Sequence, residues 1–182
     1  MSNPTTDETI ADVSSSEANT NKFLSFCLGT EEYGVEILCV REIIGVIDIT
    51  PLPQTPEFIK GVINLRGKII PVMELRKRFG LDSIEFTEET CIIVIEVTSG
   101  DDEQFQMGVI VDTVSEVLDI DPGHIEPAPR FGCKLSTDYI MGMGKTKDKV
   151  ITILATEKVL TDELFDELRL PTADAVDVAE AA

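Results

Sequence analysis

Residues 61–79 read GVINLRGKIIPVMELRKRF: two apolar runs face each other across Arg66-Gly67, and a short, strongly basic helix candidate follows. Val62, Ile63 and Leu65 before the turn and Ile69, Ile70 and Val72 after it are mostly β-branched, which favours a pleated, half-buried surface over a helix. The stretch is therefore predicted to be a β-hairpin with a charged tip. Gly67 supplies the positive φ that a tight turn needs, whereas Arg66 gains nothing from burial and should project into water. Pro71 cannot donate a ladder hydrogen bond, so it predicts an edge strand or an outward-facing proline. An exposed guanidinium on an edge hairpin is suited to docking, although a solvated turn arginine is the commoner role for such a residue.

Outward from the hairpin, much of the order recurs. Gly34-Val35, then Val40, Glu42, Ile43 and Ile44, reappear 74 positions later as Gly108-Val109, then Val114, Glu116, Val117 and Leu118. Pro51-Leu52-Pro53 answers Pro127-Ala128-Pro129, Glu57-Phe58-Ile59-Lys60-Gly61 answers Asp138-Tyr139-Ile140-Met141-Gly142, and Ile69-Ile70-Pro71-Val72-Met73 answers Val150-Ile151-Thr152-Ile153-Leu154. Shared sequence order makes chance a poor explanation, and two similar β units are expected, roughly residues 22–80 and 90–155. A unit of about 60 residues buries only around 60% of its surface, so the two should share a core. Asn64-Leu65-Arg66-Gly67 has no counterpart in the second hairpin, whose tip reads Lys145-Thr146-Lys147-Asp148-Lys149, and the first hairpin therefore reads as specialised.

The local reading fills in the rest. Phe23, Leu24, Phe26 and Leu28 predict a strand, Gly29-Thr30 a turn, Tyr33 to Val35 a second strand, and residues 37–39 a bend. A third strand is predicted from Val40 through Ile43, Ile44, Val46, Ile47 and Ile49 up to the prolines at 51 and 53. Thr55-Pro56-Glu57 has the residue types of a helix start. Arg76, Lys77 and Arg78 form a basic cluster that could draw an acidic partner or simply be a solvated helix surface. Thr156 could cap a C-terminal helix, residues 156–170, whose Val159, Leu160, Leu164, Phe165 and Leu168 are helically spaced and should pack on the core.

Composition excludes several classes. The chain has 182 residues, 43% of them hydrophobic, and a formal net charge of -19. Residues 1–21 carry four acidic and no basic side chains, and residues 157–182 eight acidic and two basic, so the ends hold ten of the nineteen net charges. Residues 1–21 and 171–182 are expected to be disordered acidic ends. Such acidity argues against nucleic acid, whose phosphates require clustered cations. Cys27, Cys39, Cys91 and Cys133 are irregularly spaced, with no C-x-x-C pair, and His124 is the one histidine; neither zinc nor another cofactor is expected, and the thiols should be reduced. With no apolar stretch near the roughly 18 residues of a membrane helix and no secretory signal, the expected location is cytoplasmic.

No enzyme signature survives inspection. Gly144-Lys145-Thr146 imitates the end of a phosphate-binding loop, but Tyr139 stands where that loop needs glycine. His124 follows Asp121-Pro122-Gly123, a turn signature, without a neighbouring nucleophile. A pocket among Val40, Leu65 and Cys91 would instead suit a small-ligand sensor.

The segments KFLSFCLGTEEYGVEILCVREI (22–43), LPQTPEFIKGVINLRGKIIPVMELRKRFGL (52–81), IEPAP (125–129) and LSTDYIMGMG (135–144) resemble the CheW family of bacterial chemotaxis coupling adaptors, over about residues 22–168. The resemblance implies an all-β fold of two intertwined five-stranded SH3-like β-barrels with short connecting helices and a C-terminal helix. It also implies a non-enzymatic role, linking the cytoplasmic tips of transmembrane chemoreceptors to the histidine kinase CheA at receptor arrays. By position, the groove between the barrels would place Val40, Glu42, Ile43, Arg66 and Cys91 at or near the receptor tip. Outer strands of the first barrel, here Ile47, Ile49 and Leu52, would pair with the kinase's regulatory domain. Cys91 stands where relatives often have a small aliphatic residue, and the turn at 99–106 is longer and more acidic than usual. The family domain also occurs fused to a receiver or a kinase; 182 residues leave room for neither, and a stand-alone adaptor is expected.

Overall fold

The computed structural model describes residues 22–98, 104–128 and 139–161. Eleven strands among them form two sheets. β1 (Lys22–Leu28), β2 (Glu31–Glu36), β8 (Thr113–Asp119), β9 (Ile125–Glu126), β10 (Ile140–Lys145) and β11 (Val150–Leu154) build one sheet in the order β8-β1-β2-β11-β10-β9. β3 (Val40–Gly45), β4 (Ile59–Leu65), β5 (Lys68–Glu74), β6 (Cys91–Thr98) and β7 (Gln104–Val111) build the other in the order β3-β6-β7-β5-β4. Each sheet curls so that its edges meet. After β3 the chain returns to bridge Thr50 to Val62 of β4, and in the same way Glu126 of β9 pairs with Met143 of β10. These are the two SH3-like barrels, six-stranded in the first-named sheet because the two-residue β9 is a strand there while its counterpart is a single bridge.

The internal repeat is real, and each barrel takes strands from both units. β2 of the first unit pairs in parallel with β11 of the second, Gly34 opposite Ile153; β7 of the second pairs in parallel with β5 of the first, Gly108 opposite Val72. β1 pairs with β8 and β3 with β6 in the same crossed manner. Both barrels carry a bulge at the equivalent glycines Gly61 and Gly142, where the closing segment lies close: a Cβ would sit 2.1 Å from the Thr50 carbonyl oxygen at Gly61 and 2.9 Å from that of Glu126 at Gly142. Only a residue without a side chain lets the barrel close there.

Three clusters of buried apolar side chains follow from this arrangement. Ile63, Ile70, Val72, Ile92, Val94 and Ile110 fill the five-stranded barrel, called the first because it carries the Arg66 hairpin, and Phe23, Ile120 and Ile153 the six-stranded second barrel. The largest lies between the sheets and joins Phe26, Tyr33 and Val35 to Ile93, Ile95, Met107 and Val109, so the units share a core as expected. Val159 and Leu160 of the helix Thr156–Thr161 close that core from the side. Beneath them is a void of ≈ 10 Å³, room for a single water at most.

Several local expectations are corrected. β3 ends at Gly45, because its partner β6 begins opposite it at Cys91; the chain then runs without a ladder from Val46 until Thr50. Thr55-Pro56-Glu57 starts no helix. The Thr55 hydroxyl donates to the Leu52 carbonyl (3.2 Å), and one turn, Ile59 N to Pro56 O at 3.0 Å, leads straight into β4. β5 is an edge only in its first half: its ladder to β7 begins at Val72, and Pro71 sits at the change. Thr156 Oγ1 is directed at Cys39 Sγ (3.7 Å), and the Ala155 carbonyl accepts the first helical bonds. The expected disordered ends, the rest of the C-terminal helix, Cys133 and most of the long acidic turn lie outside the described residues.

Candidate functional site

Arg66 is held at its place by the turn itself. Its φ of 54° and that of Gly67, 84°, are both left-handed, the geometry of a two-residue type I′ hairpin, and Asn64 Oδ1 accepts from Gly67 N at 2.9 Å. From this tip the guanidinium reaches across the barrel mouth to β3. Nη1 and Nη2 donate to Glu42 Oε1 and Oε2 at 2.8 and 2.9 Å, a two-point fork. Glu42 is brought into range by the irregularity in β3 between Val40 and Glu42. The Arg66 side chain remains 77% exposed against 25% for Glu42, so the fork fixes a cation at the surface without covering it. Two of its five N–H donors are used, which leaves three for solvent or a partner.

Beside the fork, Arg41 pairs with Glu96, whose other oxygen accepts from Gln106 Nε2 at 3.5 Å. The hydrogen bond from Arg41 holds the Glu96 carboxyl below the usual carboxylate range and the guanidinium above its own. Arg41, Glu42, Leu65, Arg66, Lys68 and Gln106 line one open groove. It is a polar surface with an apolar floor of Leu65 and Ile70.

The residues expected at the receptor divide between two faces. Glu42, opposite Val94, shares the first-barrel side with Ile44, opposite Ile92. Val40, opposite Ile95, and Ile43, opposite Ile93, turn to the side between the barrels, where Cys91 also packs. Ile43 is exposed there, and Cys91 Sγ donates to the Glu89 carbonyl at 3.2 Å. Val40 and Leu65 therefore belong to different clusters, and Cys91 packs in the cluster of Val40. Ile47, Ile49 and Leu52 lie in the segment after β3; Ile47 is exposed and Ile49 packs on the first-barrel interior.

The basic cluster is not a free patch. Arg76 is largely buried against Asp112, and Arg78 lies between the rings of Phe58 and Tyr139, 4.7 and 4.8 Å from their centroids. Phe58 and Tyr139 are equivalent in the repeat, so Arg78 sits where the two units meet. Sequence reasoning missed Arg41, Lys68, Glu96 and Gln106. The available signal was Glu96, a lone carboxylate inside the apolar run CIIVIEVT.

The second barrel has a diluted version of the same groove. Lys149 at its hairpin tip approaches Glu116, the equivalent of Glu42, at 3.8 Å and Glu32 at 2.8 Å, but neither contact is a fork. Cys27 and Ser115, 3.5 Å apart, occupy the places of Glu96 and Arg41. The hairpins thus differ in degree: both tips carry a cation toward the equivalent glutamate, and only the first is fixed bidentately.

The family model described as CheW-like domain matches residues 22–164. The chain belongs to the CheW-like domain family. It is 41% identical over 142 residues to the chemotaxis protein CheW of Klebsiella aerogenes, covering 78% of this chain and 82% of that one. It is 33% identical to CheW of Helicobacter pylori, covering 76% and 81%. Among solved structures it resembles the scaffolding protein TtCheW from Thermoanaerobacter tengcongensis, with a TM-score of 0.70 at 40% identity over 79% of this chain and 94% of that one. Among the described residues no helix is long and apolar enough to cross a membrane, and no three His, Cys, Asp or Glu side chains cluster as metal ligands.

Proposed function

We propose that this chain is a non-enzymatic chemotaxis adaptor that holds the cytoplasmic tips of chemoreceptors and the regulatory domain of the histidine kinase CheA, at receptor arrays on the inner face of the membrane. The CheW-like fold and the scaffold and chemotaxis names of its relatives support the class. The observation that carries the reading is the Glu42–Arg66 fork, an arginine fixed in place yet 77% exposed. A preoriented guanidinium loses less entropy on binding than a free one. The receptor tip would lie along Val40, Ile43 and Cys91, with Glu42 and Arg66 at the rim. Ile47, Ile49 and Leu52, which follow β3 outside any ladder, would meet the kinase.

The test replaces Arg66 with alanine and compares it with Lys147→Ala at the second hairpin tip, by titration against a receptor fragment and the kinase regulatory domain. Loss of a charge-assisted contact to a buried acceptor costs about 2 kcal/mol, roughly thirtyfold in affinity. Arg66→Ala should lose that much toward at least one partner with unchanged circular dichroism, while Lys147→Ala binds like wild type. Equal binding by both variants would remove the fork from the interface. Incubation with radiolabelled ATP should leave the purified chain unlabelled.

A further inference from the structure

The two sequence halves are bound to each other more thoroughly than either is to itself. Residues 22–80 supply β1–β5 and residues 91–161 supply β6–β11. β1 with β8, β2 with β11, β3 with β6 and β5 with β7 all join one half to the other. Within the first half, the β1–β2 and β4–β5 hairpins lie in different sheets and share no ladder; what joins them directly is side-chain packing such as that of Tyr33 on Phe79, 5.5 Å between ring centroids. The covalent connection, residues 81–90, takes no part in any ladder, and residues 82–89 are exposed. Its contacts are few: Leu81 packs on the shared core and its N donates to Arg76 O, Arg76 Nη1 donates to Asp82 O, residues 87 and 90 bond each other, the Phe86 ring lies 5.5 Å from Lys60 Nζ, and Ile84 and Phe86 lie beside Ile110.

We propose that the halves are interchangeable between copies of this chain, so that two molecules exchange reciprocally into a dimer containing two complete folds. Every interstrand pairing and all three apolar clusters would be preserved; only the course of residues 81–90 would change, which makes such an exchange a low-cost route to a dimer. Ten residues reach at most about 33 Å, so the two folds would stand side by side. In dilute solution the short tether favours closure within one chain, because it holds the partner half at an effective concentration of order millimolar. Exchange should therefore appear when the tether is too short to return its own half, or when copies refold together at high concentration. The dimer would present two Glu42–Arg66 forks on one particle.

The test uses the full chain with residues 83–88 deleted, sized by light scattering after chromatography. The expected product is a folded dimer with unchanged far-ultraviolet circular dichroism; a folded monomer would overturn the proposal. Because the deletion can also prevent folding, a second variant keeps the length and replaces residues 83–88 with a protease site. After cleavage it should keep the size and spectrum of the uncut protein. Two cleaved batches, one isotopically labelled, should give about half of the particles with one labelled and one unlabelled half after unfolding and refolding together, the statistical result for interchangeable partners. A cleaved chain that falls apart in native buffer, or halves that do not re-pair, would overturn it equally.

Discussion

Arg76 and Asp112 face each other in parallel across the boundary between the two halves: Nε and Nη2 donate to Oδ1 and Oδ2 at 2.8 and 2.5 Å. Asp112 also accepts from Gly29 N at 2.7 Å, so one carboxylate ties the short helix Leu75–Arg78 after β5, the β1–β2 turn and the junction of β7 with β8. Both side chains are mostly buried, 15% and 19% exposed. Arg76→Ala should therefore destabilise the protein by roughly 1–3 kcal/mol, because it strands a half-desolvated carboxylate. Urea unfolding with an unchanged denaturant slope would show it. Lysine should recover only part, since an ammonium cannot form the parallel pair.

The same carboxylate makes stability depend on acid. Partial burial pushes the Asp112 carboxyl up, but the hydrogen bonds from Arg76 and from Gly29 N outweigh it and hold the group below its ordinary 3.8. A carboxyl depressed in the folded state contributes stability that is complete above its unfolded pKa, near 3.9, and is lost as pH falls through the lower folded value. Stability should thus decline below about pH 4 with a contribution from this site. In Asp112→Asn that contribution disappears: the variant should be less stable at neutral pH, with a gap to wild type that narrows in acid. Urea midpoints measured from pH 2 to pH 7 would detect it, and a constant gap would refute the assignment.

Gly61 and Gly142 should be intolerant of any side chain. A Cβ at Gly61 would lie 2.1 Å from a backbone oxygen, which cannot swing aside as a side chain could. Gly61→Ala is expected to cost about 3 kcal/mol or more and to open the first barrel at the Thr50–Val62 bridge. Gly67→Ala meets nothing within 4 Å and suffers only its φ of 84°, a cost nearer 1 kcal/mol. Thermal unfolding of the two variants should rank them in that order.

Residues 22–80 expressed alone should fail to fold. Without β8 and β11, the β1–β2 hairpin has no sheet, and Phe26, Tyr33 and Val35 face water instead of Ile93 and Val109. A cooperative thermal transition of this fragment would contradict the crossed pairing.

The hairpin at Arg66 was legible because β-branched runs and a turn glycine are local signals, and the repeat was legible because equivalent positions keep their order. The exchange of strands between units was not, since Gly34 and Gly108 look alike in sequence and nothing local says which parallel strand each will meet. The fork was half visible: the tip announced Arg66, but Glu42 is 24 residues upstream on another strand and becomes its partner only when the barrel closes. Arg76 and Arg78 misled for a related reason. A run of cations reads as solvated until the fold supplies Asp112 to one and two aromatic rings to the other. The irregular path after β3 was hidden because Val46, Ile47 and Ile49 have strand propensity and lack only a neighbour.

The parallel pairing of β2 with β11 also sets a clock on synthesis. Tyr33 meets Thr152, which leaves the ribosome about 120 residues later; at 5–20 residues per second this is a wait of roughly 6–24 s. During that interval the β1–β2 hairpin exposes an unpaired edge and an apolar face, the features that invite chaperones and misassociation. A destabilising change late in the chain, in β11 or the helix after it, should therefore show first as lost soluble yield and not as weakened binding.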